Sequence, residues 1–266
     1  MSEGFQLPEI NRVGLLAPLD WLAAGWRDLW RAPGPCLAYG VGLALLSAGV
    51  TGTLYLTGQF TWFLVLAGGF LIVAPLLGLG LYRAARLMSE GRQPKFGEML
   101  WQPGMIRADT ILLGVALFVL FGLWAEAAYI IYGLSTYSVH QTIGDFLAFL
   151  LTTPEGLRMA LIGSCVGGVI AFIAFTLVAV SAPLLLEEGS DVFISVITSA
   201  RAVLANLPAM LLWAFLIALL VGVGMAFALI GLIVVFPWIG LASWHACRAT
   251  VSSNDSARLQ ARHANQ

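Results

Sequence analysis

The stretch from Leu207 to Ala246 reads LPAMLLWAFLIALLVGVGMAFALIGLIVVFPWIGLASWHA, forty residues without one Asp, Glu, Lys or Arg. A helix needs about 20 apolar residues to cross the hydrocarbon core of a bilayer. A run twice that length has to turn back once, and the turn is expected near Val223 to Phe227, giving two antiparallel spans. Four more apolar runs precede it: Pro35 to Leu56, Phe60 to Tyr82, Thr110 to Gly133 and Arg158 to Ala182. Six membrane-crossing helices follow, and the expected fold is an all-α polytopic membrane helix bundle.

Composition agrees. Of 266 residues 60% are hydrophobic and 10% charged, against about 25% charged in a soluble domain, and the mean hydropathy is +0.91. The net charge of −1 gives no bulk reason to expect nucleic acid or an acidic partner. Three cysteines, Cys36, Cys165 and Cys247, are widely spaced in or beside apolar runs and form no disulfide or zinc pattern. The first 34 residues lack an early apolar stretch, so insertion is expected to be driven by the internal spans.

The cations fit this layout. Twelve of the 13 Lys and Arg fall in the segment before the first span, the loops between the second and third and between the fourth and fifth, or the tail after the sixth. Only Arg158 falls on the other side. Cytoplasmic loops carry the excess of positive charge, so both termini are expected in the cytoplasm. The organisation expected is a cytoplasmic N-terminal segment (1–34), a six-helix domain (35–247) and a polar cytoplasmic tail (248–266).

Two segments show helical period on the cytoplasmic side. From Pro18, apolar residues fall at Leu19, Leu22, Trp26, Leu29 and Trp30; from Asp191 they fall at Phe193, Val196, Ile197, Ala200 and Leu204. Each is expected to form an amphipathic helix, either at the headgroup level or packed on the end of the bundle. Ser190 suits the N-cap of the second. On the opposite side, Gly144 to Leu151 is too short to span and reads as a lid or interfacial turn. In Thr153-Pro154-Glu155, threonine can cap, proline suits the first helical position and glutamate favours the positive end of the dipole.

Gly69 to Arg86 (GFLIVAPLLGLGLYRAAR) and Gly231 to Arg248 (GLIVVFPWIGLASWHACR) match at 7 of 18 positions with an offset of 162. Both copies run the same way across the membrane, so a parallel internal repeat is expected. Pro75 and Pro237 each remove a backbone donor, and Gly78 and Gly240 follow three residues later, a combination that kinks a helix and lets a neighbour approach. Such kinks serve either close packing or a transport pathway.

Glu126 is the one carboxylate inside an expected span, and an ionisable group there is a functional candidate by default. It stands near the outer face, within expected reach of water, Arg158 or His140. Asp109, at the start of the third span, reads as a helix-dipole residue. Three histidines, His140, His245 and His263, are too few and too scattered for a haem–copper centre. No nucleophile, metal or phosphate motif appears, so no cofactor and no metal are expected, and an enzyme has no positive support.

Several groups of residues carry a resemblance. They are Asp20, Gly25-Trp26, Asp28 and Tyr39-Gly40; Gly69-Phe70 to Pro75 with Gly80-Leu81-Tyr82 and Arg86; Leu151 to Gly156 with Ala182-Pro183; and Thr198-Ser199, Asn206, Trp213, Pro237, Gly240, Trp244-His245 and Arg248. On these, from about Leu16 to Val251, the chain resembles an uncharacterised family of bacterial inner-membrane proteins carrying a domain of unknown function, which implies a bacterial inner (plasma) membrane location. Some members bear a cytochrome c oxidase subunit I label. Leu241 and Cys247 stand where that family carries a second histidine and a tyrosine, so the Trp244, His245, Arg248 motif is not expected to hold metal. The resemblance implies a membrane protein without an assigned activity, and its label hints at association with the respiratory chain. Two functions are carried forward: a non-catalytic accessory or assembly partner of another membrane complex, and a small-molecule or ion transporter or channel using Glu126 and the kinked helices.

Overall fold

The computed structural model describes residues 7–58, 62–101, 107–136, 143–186, 191–227 and 229–252. Their helices are α1 (Ala17–Arg31), α2 (Pro33–Leu56), α3 (Trp62–Leu77), α4 (Leu79–Ser89), α5 (Phe96–Leu100), α6 (Ala108–Ser135), α7 (Ile143–Thr152), α8 (Pro154–Val178), α9 (Ser181–Leu184), α10 (Val192–Ala205), α11 (Leu207–Ala226) and α12 (Leu232–Thr250). Six helices are long and apolar enough to cross a membrane: α2, α3 continued by α4, α6, α8 continued by α9, α11 and α12. The fold is an all-α polytopic bundle.

The two ends of the described chain, around Ile10 and Val251, meet at one end of the bundle, here the terminal end. A short strap ties them: Ile10 bridges Val251, the Asn11 amide donates to the Thr250 carbonyl (2.9 Å), and the Ser252 amide donates to Glu9 (3.1 Å). Asn206, buried at the α10–α11 junction, holds the strap from beneath. Its Oδ1 accepts from the Val13 amide (2.8 Å) and its Nδ2 donates to the Asn11 carbonyl (3.0 Å).

The six spans are not equivalent. In α12, 61% of the most apolar window is buried within the protein, against 11% in both α6 and α8. The last span is thus the central post of one half, packed by α1, α2, α4 and α11, whereas α6 and α8 pair with α3 on the other side. Close backbone approach sets this. A Cβ on Gly25 would stand 2.6 Å from the Ala242 nitrogen, and one on Gly240 2.6 Å from Leu81 Cδ1. On the other side Trp124 of α6 wedges between Gly68 of α3 and Gly167 of α8 and donates its indole N–H to the Val65 carbonyl (2.8 Å).

The turn between α11 and α12 differs from expectation. It runs from Phe227 to Gly231 rather than Val223 to Phe227. Gly224 is kept inside α11 because its bare Cα lets Gly231 close against it, and the reversal passes through Leu229 at φ 67°. The second span is also not one straight helix. Pro75 offers no N–H to the preceding turn, and α3 gives way to α4 at Gly78. There the Leu81 amide turns to the Gly78 carbonyl, and Tyr39 of α2 donates its hydroxyl to the Leu77 carbonyl (2.7 Å).

The capping expectations divide. Thr153 accepts from the Gly156 amide (3.0 Å) with Pro154 opening α8, as expected. Ser190 lies outside the described residues, and α10 is capped by Asp191, which accepts from the Phe193 (2.7 Å) and Ile194 (3.2 Å) amides. The segment read as a lid or interfacial turn, Gly144 to Leu151, lies within α7, which packs against α8.

Candidate functional site

Three places gather the residues singled out from sequence. The first is the α1–α12 contact at the terminal end. Gly25 brings the two backbones together, and the Trp238 indole N–H donates to the Leu22 carbonyl (2.7 Å). One turn further on, His245 Nε2 lies 2.6 Å from Asp28 Oδ2. Arg31 lies 3.0 Å from the other carboxylate oxygen. The Asp28 side chain is only 7% exposed, whereas that of His245 is 34% exposed. A buried carboxylate needs partners, and here histidine and arginine supply them from two helices. Neighbouring Trp244 is buried, and the Arg248 guanidinium sits over its ring at 5.9 Å. Of the motif Trp244, His245, Arg248, His245 therefore ties α12 to α1, while the Arg248–Trp244 contact lies within α12.

Among the described residues no group of three or more His, Cys, Asp or Glu side chains gathers within reach of one metal ion. Sequence patterning does not single out Asp28 as a functional residue. Its signal is helical period: it falls on the same face of α1 as Trp21, Leu22, Gly25 and Leu29, all buried, and a carboxylate on a buried face requires a partner.

The second place is the repeat. Its copies are α3–α4 and α12, and they touch. Gly240 receives Leu81, Phe70 stacks obliquely on Phe236 at 5.9 Å, and the Tyr82 hydroxyl hydrogen-bonds Ser243. Their surroundings are not symmetric, since α12 is sheathed by α1 and α2 while α3 is flanked by α6 and α8. Pro75, Gly78 and Gly240 border a cavity of about 150 Å³ that also touches α8 and α11. Of its lining residues Tyr82 and Ser243 carry hydroxyls, and that of Ser243 donates to the Ile239 carbonyl (2.8 Å). Pro237 is buried in α12 and does not line the cavity. The arrangement suits close packing of apolar groups.

The third place is the far end. Trp62, Val65, Trp124, Tyr129, Tyr132 and Met159 line a cavity of about 300 Å³. A further cavity of about 230 Å³ lies between α2 and α3. Glu126 lines neither of these, nor the cavity at the repeat. It stands on the outer surface of α6, nine residues before the end of that helix, roughly 14 Å at 1.5 Å per residue. Its neighbours on that face are Val119, Leu123 and Ile130, all exposed. Arg158 is also exposed, on α8, and the pairing expected between them is not formed: neither residue has an ion pair among the described residues. The α6–α8 packing explains this. Trp124 meets Gly167 where the helices touch, and Glu126 and Arg158 each fall on the side of their helix turned away from that contact. His140 lies outside the described residues.

Six apolar spans, a shared terminal end and mostly apolar cavities define an integral, multi-pass, all-α membrane protein. Residues 63–187, from the start of α3 through α9, match the family described as "Predicted integral membrane protein (DUF2189)". The resemblance to an integral membrane family of unknown function is borne out over that stretch, which is shorter than Leu16 to Val251. It contains the first repeat copy, Glu126 and Arg158, and stops before α12. No curated protein and no solved structure matches the chain.

Proposed function

We propose that the protein is a non-catalytic accessory or assembly partner that associates, within a bacterial inner membrane, with another membrane protein complex. The observation that carries this reading is the outward placement of Glu126. Ionisable residues in transmembrane segments that serve transport face the bundle interior or a water-filled cavity. Glu126 faces neither. A charged side chain at membrane depth costs about 2.5–3.5 kcal/mol on insertion scales, and a donor on a neighbouring protein's helix would offset that cost. The apolar lining at the Pro75, Gly78 and Gly240 kinks favours the same reading over a solute pathway.

Orientation follows from charge. Ten of the eleven described Lys and Arg residues belong to the terminal end, and Arg158 alone belongs to the far end. Under the positive-inside rule the terminal end is cytoplasmic. The respiratory chain is one candidate source of the partner complex.

The test is recovery of the tagged protein from its native membrane in mild detergent, with quantitative mass spectrometry and a visible absorption spectrum. A membrane complex recovered in fixed stoichiometry with the wild type, lost with Glu126→Leu and kept with the surface control Glu155→Gln, is the expected result. Recovery of the protein alone, together with Glu126-dependent proton or solute flux in proteoliposomes, overturns the proposal in favour of a transporter.

A further inference from the structure

Helix α1 has three sides, not two. Successive residues turn by about 100°, which places Trp21, Leu22, Gly25, Asp28 and Leu29 on the side against the bundle, where all are buried. A second side carries Leu19, Trp26 and Trp30, which are 48%, 39% and 56% exposed. A third carries Asp20, Arg27 and Arg31, also exposed. Helix α10 repeats the plan. Ser195, Ser199, Ala202 and Val203 are buried, Phe193, Ile197 and Leu204 form an exposed apolar stripe, and Arg201 stands beside that stripe.

A helix on the side of a membrane bundle, at the depth where hydrocarbon meets water, has three environments to satisfy: protein, acyl chains and headgroups. A helix packed only on the bundle's end would have two. We propose that α1 and α10 lie in the interfacial layer of the terminal-end leaflet and that Arg27 and Arg201 bind the phosphates of anionic phospholipids. The apolar stripes rest on the acyl boundary beneath. Tryptophan suits this level because its ring is apolar and its N–H polar, and Trp26 is fixed there by edge contacts to Trp30 (5.6 Å) and Trp238 (5.0 Å).

Charge complementarity chooses the occupant. Among the described residues Arg27 has no ion pair or hydrogen bond, and Arg201 reaches only the Pro8 carbonyl at 3.4 Å. Both stand next to apolar side chains that water does not favour. An anionic phospholipid answers both halves of that surface at once, with a phosphate for the guanidinium and acyl chain for the stripe. Because α1 precedes α2 and α10 precedes α11, each helix that starts at this end of its repeat unit is led in by such an anchor. The inference does not depend on the partner complex.

The full chain, in a Cys165→Ser background that leaves only the buried Cys36 and Cys247, is spin-labelled at Trp30→Cys, Ile197→Cys or Arg27→Cys and placed in lipid nanodiscs. Labels at positions 30 and 197 should collide with dissolved oxygen and be shielded from a water-soluble nickel chelate, and the label at 27 the reverse. Equal nickel access at all three would overturn the placement. Labels at 30 and 197 shielded from both reagents in native membranes, but water-accessible in nanodiscs, would assign the stripes to a protein partner instead. For the headgroups, native mass spectrometry compares retention of phosphatidylglycerol and phosphatidylcholine from an equal mixture. Arg27→Gln and Arg201→Gln should each lower the anionic preference by roughly fivefold, and an unchanged ratio in the double variant would refute the phosphate contact.

Discussion

Replacing Gly40 by alanine tests the packing on which α12 stands as the central post. A Cβ at Gly40 would stand 2.8 Å from the Ile233 carbonyl carbon and 3.0 Å from its Cα, and closer still to the carbonyl oxygen. Carbon atoms need about 3.5–4.0 Å. The obstruction is backbone, so no side chain can swing aside, and α2 has to withdraw from α12 by most of an ångström. Overpacking of this kind costs about 1–3 kcal/mol. The retreat also loosens the neighbouring Tyr39–Leu77 hydrogen bond (2.7 Å), worth about 0.5–1.5 kcal/mol. Helix propensity returns about 0.5–1 kcal/mol on replacing glycine. The net expectation is a loss of about 1–3 kcal/mol. Gly42, two residues along the same helix, has nothing within 4 Å of its own Cβ position, so Gly42→Ala keeps only the propensity gain. Unfolding of both variants in nanodiscs, followed by tryptophan fluorescence, should move in opposite directions. Equal stabilisation of both would show that α2 and α12 do not touch at Gly40.

Three further outcomes follow from the polar contacts. His245→Ala leaves the buried Asp28 with Arg31 alone and should cost about 1–3 kcal/mol, as losing one partner of a buried acceptor does; hydrogen exchange should rise across α1 before it rises in α6 or α8. Asn206→Ala removes both side-chain contacts to the strap and should expose the Val13 and Asn11 backbone to exchange, at a cost of about 1–3 kcal/mol, while α3 and α6 keep their protection. Thr153→Ala deletes the α8 cap to the Gly156 amide (3.0 Å) and should lower stability by about 0.5–2 kcal/mol, with Thr153→Ser restoring most of it in thermal unfolding.

The number of spans, their approximate limits and the common end for the segments before the first span and after the last are all legible in the amino-acid sequence. They follow from the bilayer acting as a solvent: hydrocarbon thickness sets the run length, and charged residues stay outside it. The α1 and α10 periods are legible too, because water on one side forces a pattern. The caps divide on local detail. Thr153 is readable from its own tripeptide, whereas at α10 the pattern points to Ser190 and the cap is its neighbour Asp191, an equally good capping residue.

What the tertiary structure alone decided is which way each span faces. In lipid both the outer and the inner face of a helix are apolar, so α2, α6 and α11 carry no periodic signal of their inner side. That α12 is the buried post, that Gly25 and Gly40 seat it, that His245 closes on Asp28 and that Glu126 looks outward all depend on helix rotation. The placing of the last turn belongs to the same class: an uncharged run of forty residues leaves its reversal point unmarked, and the contact of Gly224 with Gly231 chose it. Composition told the chain where to cross the membrane, and close backbone approach told the crossings how to turn toward one another.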